Sequence, residues 1–442
     1  MNRQFYANII LLLLGLQLYG QHSFSLEEAQ EYGLFHNKNI KKSSLVFEYA
    51  HKQLKETIAA GLPQINSEIK WQQFLEVPTT LVPASQFMPG APSDQYTETQ
   101  FGIPHTTSAS ITASQMIFNG GYVVALKAAK SFIQFAEIRH SLTLNQISDS
   151  ISTAYFKSLI AKKNEQFLKY MVNVHQGLLN EVKIKYDLGF VEDIETDKMA
   201  LTLSQIIMNY NQSIRQSNLS ETYLKLMLGI DLDENIFLED SLHLLLENCA
   251  DISLEESNIQ NTLEYQMAEL NEKLKYWDVK RYQTDKLPSI SAFASIGTSA
   301  MGVDFTPLYA STKWYPNEFI GISMSIPIFD GLGGKSRIQK AIIEREIANL
   351  QKENTKQNLK LAHLNAKSNY LFAQQSLKQQ GNNILISEKI YQKTRLKYRE
   401  GITSSTELTR IASEYLEHQT NHSKQIFNLL VSHLNYKRSI GK

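Results

Sequence analysis

Apolar and polar positions along this chain follow two periods, and the switches between them carry most of the information. In Phe319–Ser336, FIGISMSIPIFDGLGGKS, the residues Ile320, Ile322, Met324, Ile326 and Ile328 alternate with Gly321, Ser323 and Ser325. That period of two predicts a strand with one apolar face. Pro327 removes a ladder donor, Gly331, Gly333 and Gly334 permit a turn, and a helical pattern starts near Lys335. Ser108–Gly121, SASITASQMIFNGG, follows the same plan: Ile111 and Ala113 alternate with Thr112 and Ser114, and Asn119-Gly120-Gly121 leads into another helical pattern. The shared core is I-F-[ND]-G.

The helical stretches are long. Residues 122–185 are free of proline, and at about 1.5 Å per residue such a helix exceeds an ordinary domain diameter. Leu168, Val172, His175, Leu179, Val182 and Tyr186 fall at alternating steps of four and three, the spacing of a coiled coil. A turn at 186–190, centred on Gly189, is followed by a return helix at 191–228 that keeps the spacing through Leu203, Ile207, Tyr210 and Ile214. Upstream, Ser25 and Glu28 form a capping box for a helix reaching about Ala60, ended by Gly61-Leu62-Pro63. Strands are expected at 64–76 and 106–118, with a proline-rich irregular loop between them.

After a less regular connector at 230–260, the plan repeats over 261–442: a helix, strands at 289–298 and 318–329, a long helix at 335–397, a turn at 398–402 and a return helix at 403–438. The first repeat spans 21–229. The offsets between matching residues are 225 for Pro63 and Pro288, 211 for Phe118 and Phe329, and 212 for Gly189 and Gly401. The long-helix blocks therefore agree within one residue, and the chain carries an internal duplication.

Composition narrows the class. Forty-four basic and 44 acidic residues balance to a net charge of zero, which gives no footing for nucleic acid. The single cysteine, Cys249, excludes an internal disulfide and a cysteine-based metal cluster. Arg3 followed by ANIILLLLGLQL reads as a signal peptide over residues 1–20, and no later run reaches the roughly 20 apolar residues a membrane helix needs. An exported chain of this kind enters a membrane only as strands. Gly331–Ser336 lacks the first glycine of a phosphate-binding loop, Phe329 standing there, and the His418/His422 pair has no glutamate after His418, so neither nucleotide nor zincin chemistry is indicated. No cofactor, metal site or catalytic constellation is expected.

Four strands cannot close a barrel, and lipid does not tolerate open edges, so the strands must be pooled between copies; three copies supply twelve. Trp71, Phe74, Tyr96, Phe101, Phe305, Tyr309, Trp314, Tyr315 and Phe319, near the strand ends, suit an interfacial girdle. The fold class expected is mainly α with a small β part: a long antiparallel coiled-coil tunnel plus four strands per chain in a trimeric barrel.

Through Ser25-Leu26-Glu27-Glu28-Ala29, Leu62-Pro63-Gln64-Ile65, Leu287-Pro288-Ser289-Ile290, Pro327-Ile328-Phe329-Asp330-Gly331 and Tyr398-Arg399-Glu400-Gly401, the sequence resembles the TolC-like outer-membrane efflux protein family. The resemblance implies a homotrimeric channel set in outer-membrane lipid of a Gram-negative bacterium and extending into the periplasm. It would passively conduct what an inner-membrane pump (RND, ABC or MFS type) and a periplasmic membrane-fusion adaptor deliver in efflux or type I secretion. It further implies adaptor docking at the two tips, Asp187, Leu188, Gly189, Phe190 and Val191 with Arg399, Glu400, Gly401, Ile402 and Thr403. It places a pore constriction just beyond them. Glu195 and Glu407, each six residues past a tip glycine, are candidates, but Lys198 and Arg410 stand where a further acid is the family habit. The competing reading is a periplasmic coiled-coil scaffold or adaptor without a channel, for which four amphipathic strands have no purpose.

Overall fold

The computed structural model describes residues 22–441 apart from Phe87, Ala91, Ser93, Phe101, 250–257 and 304–312. The expected signal segment, the girdle candidates Phe101, Phe305 and Tyr309, and part of the connector lie outside the described residues. In chain order the first half contains β1 (His22–Phe24), α1 (Leu26–His36), α2 (Lys38–Ala59), β2 (Gln64–Gln73), β3 (Thr79–Pro83), β4 (Tyr96–Gln100), β5 (His105–Phe118), α3 (Gly120–Asp187) and α4 (Asp193–Leu228). There follow β6 (Ile236–Leu238), α5 (Leu242–Glu247), α6 (Leu263–Thr284), β7 (Ser289–Gly302), β8 (Tyr315–Ser325), α7 (Gly333–Arg399) and α8 (Ser405–Ser439). The chain divides into two units: Tyr49–Gln134 with Leu270–Asn349, and Met1–Glu48 with Phe135–Glu269 and Leu350–Lys442.

The first unit is built on an antiparallel sheet ordered β2-β5-β7-β8, with β2 and β8 at the edges. Its register sorts the side chains sharply. Ile65, Ala113, Ala294 and Ile320 share one row, and Ile111 and Ile296 pair in the next. Because successive side chains alternate between faces, Ile69, Ala109, Ala292 and Ile322 fall on that same apolar face. The opposite face carries Asn66, Thr112, Ser295 and Phe319 in one row and Lys70, Ser108 and Ser299 in another. Much of the apolar face is bare, with Ile320 86% and Ile69 77% exposed, while Thr107 and Ala300, in the row of Trp71, are buried. Phe319 is on the polar side, edge-to-face with Phe293 at 6.0 Å, so it does not belong to a lipid-facing girdle.

Both corners from strand to long helix are held by the variable residue of I-F-[ND]-G. Asn119 Oδ1 accepts from Tyr122 N–H at 3.1 Å, and Asp330 Oδ2 accepts from Gly334 N–H at 2.5 Å and from Arg337 at 3.0 Å. Each satisfies a backbone donor that the first helical turn leaves open. The second corner is longer than the alternation suggested. β8 stops at Ser325 rather than running to 329, because Pro327 cannot donate to the ladder and the backbone then turns through Gly331 (φ 65°) and Leu332 (φ 66°). The Asp330 carboxylate fills the start of α7, where a bound phosphate would sit. The proline-rich stretch is also more ordered than expected: β3 and β4 pair as a hairpin from Thr79↔Gln100 to Pro83↔Tyr96, using the β-branched Thr79, Thr80, Val82, Thr97 and Thr99.

In the helical unit, the helix expected from Ser25 to about Ala60 is two helices. Ser25 caps α1 with the full capping box, and the break falls at Asn37, which is buried and extended (φ −64°, ψ 126°). Asn37 Nδ2 donates to Met227 O at 2.6 Å, and its Oδ1 accepts from Asn39 N–H at 2.8 Å. Gly229, in the left-handed C-cap of α4, lies so close that a Cβ there would meet His36 O at 2.6 Å. Within the connector, β6 pairs in parallel with β1, and the buried Tyr155 hydroxyl donates to Phe24 O at 3.0 Å while accepting from Asp240 N–H at 3.3 Å. Around this lies one apolar core, including Ile151, Phe156, Leu224, Leu228, Ile426 and Leu430. A second core, nearer the tips, joins Met171 and Leu178 to Met199, Ile206, Tyr391, Leu408 and Tyr415.

Candidate functional site

Two helix-to-helix turns lie at the ends of the long helices, and they match bond for bond. At the first, Leu188 N–H donates to Ile184 O (3.1 Å), Gly189 N–H to Tyr186 O (2.8 Å) and Phe190 N–H to Lys185 O (2.8 Å). At the second, Glu400 donates to Leu396 O (3.1 Å), Gly401 to Tyr398 O (3.1 Å) and Ile402 to Lys397 O (2.8 Å). This pattern closes the last carbonyls of a helix around one left-handed residue. Gly189 (φ 76°) and Gly401 (φ 74°) take that role, and a Cβ on either would meet nothing within 4 Å. Glycine is required there for backbone conformation alone.

Around those turns apolar side chains face solvent. Phe190 is 77%, Ile402 71% and Leu188 65% exposed, and Asp187, Arg399 and Glu400 are exposed beside them. Val191 and Thr403 are half-buried, Val191 packing on the tip core. The two tips are tied together: Arg399 grips the Glu181 carboxylate, and Lys185 Nζ donates to Arg399 O at 2.8 Å. Glu181 went unrecognised in the sequence, since nothing local marks a partner 218 residues away.

Of the constriction candidates, none of the acids stands alone. Glu195 is half-buried, its Oε1 3.1 Å from Lys198 Nζ and its Oε2 accepting from Ser405 N–H at 3.3 Å, at the start of α8. Burial pushes its carboxyl up, but the bonds from Ser405 and Lys198 outweigh that and hold it below the usual range. Glu407 is gripped by Arg410 at 3.0 and 2.6 Å, which lowers its carboxyl too, and Arg410 reaches on to Glu414 at 2.5 Å. Thr202 and Thr409 hydroxyls meet at 2.8 Å, a second link between the return helices.

Beneath the tips His175, fully buried, meets the Tyr391 hydroxyl with Nε2 at 3.1 Å. Burial, with the Arg395 charge nearby, lowers its pKa to about 4. A histidine on an otherwise apolar heptad stripe was the one sequence sign of this cluster. His418, one of the His418/His422 pair, meets Gln380, whose Nε2 donates to its carbonyl at 3.1 Å.

Residues 256–431 match the family model of the outer membrane efflux protein. That stretch, in the later part of the chain, is similar to the family. The fold of the chain is that of solved outer-membrane channels. The Campylobacter jejuni CmeC channel is 17% identical, with 94% of this chain and 85% of that one covered at a TM-score of 0.73. Vibrio cholerae VceC is 14% identical over 94% and 96% of the two chains, with a TM-score of 0.69. The open state of Neisseria gonorrhoeae MtrE is 14% identical over 94% and 88%, with a TM-score of 0.67. A search of curated proteins finds no match. Among the described residues no helix is long and apolar enough to cross a membrane.

Proposed function

We propose that this chain is an outer-membrane efflux protein, a passive channel that closes by pooling its strands with two further copies of itself. The observation that carries the reading is the sheet: one largely bare face rich in Ile, Ala and Met, one polar face, and edge strands β2 and β8 that pair no further among the described residues. In lipid such edges must be paired, and apolar-out, polar-in alternation is what a water-filled membrane barrel requires. Strand direction alternates from β2 to β8, so β8 of one copy meets β2 of the next antiparallel, and three copies make a twelve-stranded ring.

The tips are the docking surface for a periplasmic adaptor, with Leu188, Phe190 and Ile402 as anchors and Arg399 and Glu400 at the rim. The energy for export comes from an inner-membrane pump, the channel itself being passive. Glu195, Lys198, Glu407 and Arg410 form the narrow part of the pore. Each acid there has a cation of its own chain beside it, so the ring is weakly cation-selective. A coiled-coil scaffold without a channel gives no account of the amphipathic sheet.

Cysteine cross-linking tests the closure. Ile69→Cys in β2 is combined in turn with Glu318→Cys, Ile320→Cys or Ile322→Cys, all on the same face of β8; native Cys249 is buried. At least one pair should give a covalent ladder that stops at three copies. A scaffold would give no ladder with any of the pairs.

A further inference from the structure

The two strand-to-helix corners differ in how they are filled. At the first, Tyr122, bonded through its N–H to Asn119, lies across Gly61, where a Cβ would collide with the ring. Its hydroxyl donates to Ile58 O at 3.2 Å. At the second corner the matching N–H, bonded to Asp330, belongs to Gly334, and the 225-residue offset of the prolines puts Lys286 opposite Gly61. Where the first repeat has a tyrosine on a glycine, the second has a glycine and a lysine. A cavity of about 390 Å³ takes the place of the tyrosine ring.

The walls of that cavity are of two kinds. Ile328, Phe329 and Leu332 form an apolar side, and Asp285, Lys286 and Lys335 a charged one. Ile328 is 94% and Phe329 81% exposed, and with Ile326 they carry the apolar run of β8 past the end of the strand. Leu332 is the one non-glycine among the described residues with a positive φ, 66°, a conformation that strains leucine, and its side chain is exposed. Large apolar side chains left in water beside one another mark a contact surface. Arg337 is taken by Asp330 at 3.0 Å, and Asp330 also caps the start of α7, so the helix end is not open to an anion. Lys286 and Lys335 form no ion pair among the described residues.

We propose that this cavity holds one phospholipid with a zwitterionic head: acyl carbon against Ile328, Phe329 and Leu332, phosphate between Lys286 and Lys335, and amine towards Asp285. The mixed rim favours such a head over a purely anionic one, because the Asp285 carboxylate repels a second negative charge. An apolar loop with lysines directly beside it grips a membrane surface, its stems in the apolar layer and its charges among the head groups. That this corner meets lipid rests on the channel reading, in which the joints lie where the barrel leaves the membrane. The first repeat seals the matching space with its own Tyr122, so each chain offers one such site rather than two.

Native mass spectrometry of the full-length protein, extracted in detergent and titrated with phosphatidylethanolamine, tests it. One lipid per chain should bind saturably, and dioleoylglycerol, which lacks the phosphate, should not compete. Lys286→Glu combined with Lys335→Glu should weaken binding by roughly tenfold or more. Both lysines are exposed, so the double variant should keep the unfolding midpoint of the unmutated protein. Lys273→Glu, exposed on α6 but outside the cavity, should leave binding unchanged. Absence of saturable lipid, an equal loss with Lys273→Glu, or displacement of the lipid by inorganic phosphate would overturn the proposal, the last by making this a site for free phosphate. The count is per chain and needs no conductance, so a protein that conducts without binding lipid refutes this site and leaves the channel reading standing.

Discussion

Arg399, the last residue of α7, holds both oxygens of Glu181 on α3 through its Nε, at 3.1 and 3.0 Å, with a terminal nitrogen adding a further bond. This pair joins the tips of the two sequence repeats. Both side chains are partly exposed, so the pair orders the tip more than it stabilises the protein. Arg399 holds the Glu181 carboxyl below its ordinary range. The contribution is therefore complete above the ordinary carboxylate pKa of 4.5 and is lost as pH falls through the lowered value. Glu181→Gln should leave the unfolding temperature nearly unchanged while amides of 186–190 and 398–402 lose protection from exchange. Swapping the charges, Glu181→Arg with Arg399→Glu, should restore it.

The glycines separate strain from crowding. At Gly189 and Gly401 a side chain has open space, so alanine costs only the left-handed conformation, about 1–2 kcal/mol. Gly229→Ala meets the same strain and also the His36 carbonyl at 2.6 Å, and should cost about 2–4 kcal/mol by thermal or denaturant unfolding. At Gly401 a β-branched residue should abolish adaptor capture in a pull-down while the protein still inserts in membranes. Capture that survived Gly401→Val would refute docking at this tip.

His175 makes the helical unit sensitive to acid. Its pKa lies near 4 in the folded protein, against an ordinary value of 6.5. The packed state favours the neutral ring, so stability is complete above about pH 6.5 and is lost as pH falls towards 4. The full linkage amounts to about 3 kcal/mol. Half-buried His422 and His433 are lowered too and act in the same direction. His175→Phe should flatten the fall in unfolding midpoint between pH 6.5 and 4.5; an unchanged slope would mean the ring does not stay buried.

Much of the architecture was readable because duplication makes each signal appear twice. The tip glycines, the heptad stripes and the I-F-[ND]-G corners each have a partner roughly 212 residues away, and the two tips fold with the same hydrogen bonds. What the sequence hid depends on contacts between distant segments. Asn37 breaks a helix because of Met227 O and the approach of Gly229, neither visible locally. The β3–β4 hairpin was masked by its prolines, and β1 and β6 are too short at three residues each to show a period. The bond from Ser405 N–H to Glu195 was not legible because the two lie 210 residues apart. The Arg410–Glu407 pairing, by contrast, follows from helical spacing.

That pairing gives a test of the pore lining. Removing the cation with Arg410→Gln leaves Glu407 and Glu414 uncompensated in every copy. Reversal potentials in a salt gradient should then shift towards cation selectivity, and Lys198→Gln should shift them the same way. Reversal potentials identical to the unmutated protein would place these residues away from the lumen.

The central claim is that three copies close into a conducting pore. Planar-bilayer recording of the detergent-extracted protein addresses it most directly. Stepwise insertions with one reproducible unit conductance, lost once heating has separated the trimer, are the predicted result. A stable, correctly folded trimer that never conducts would contradict it.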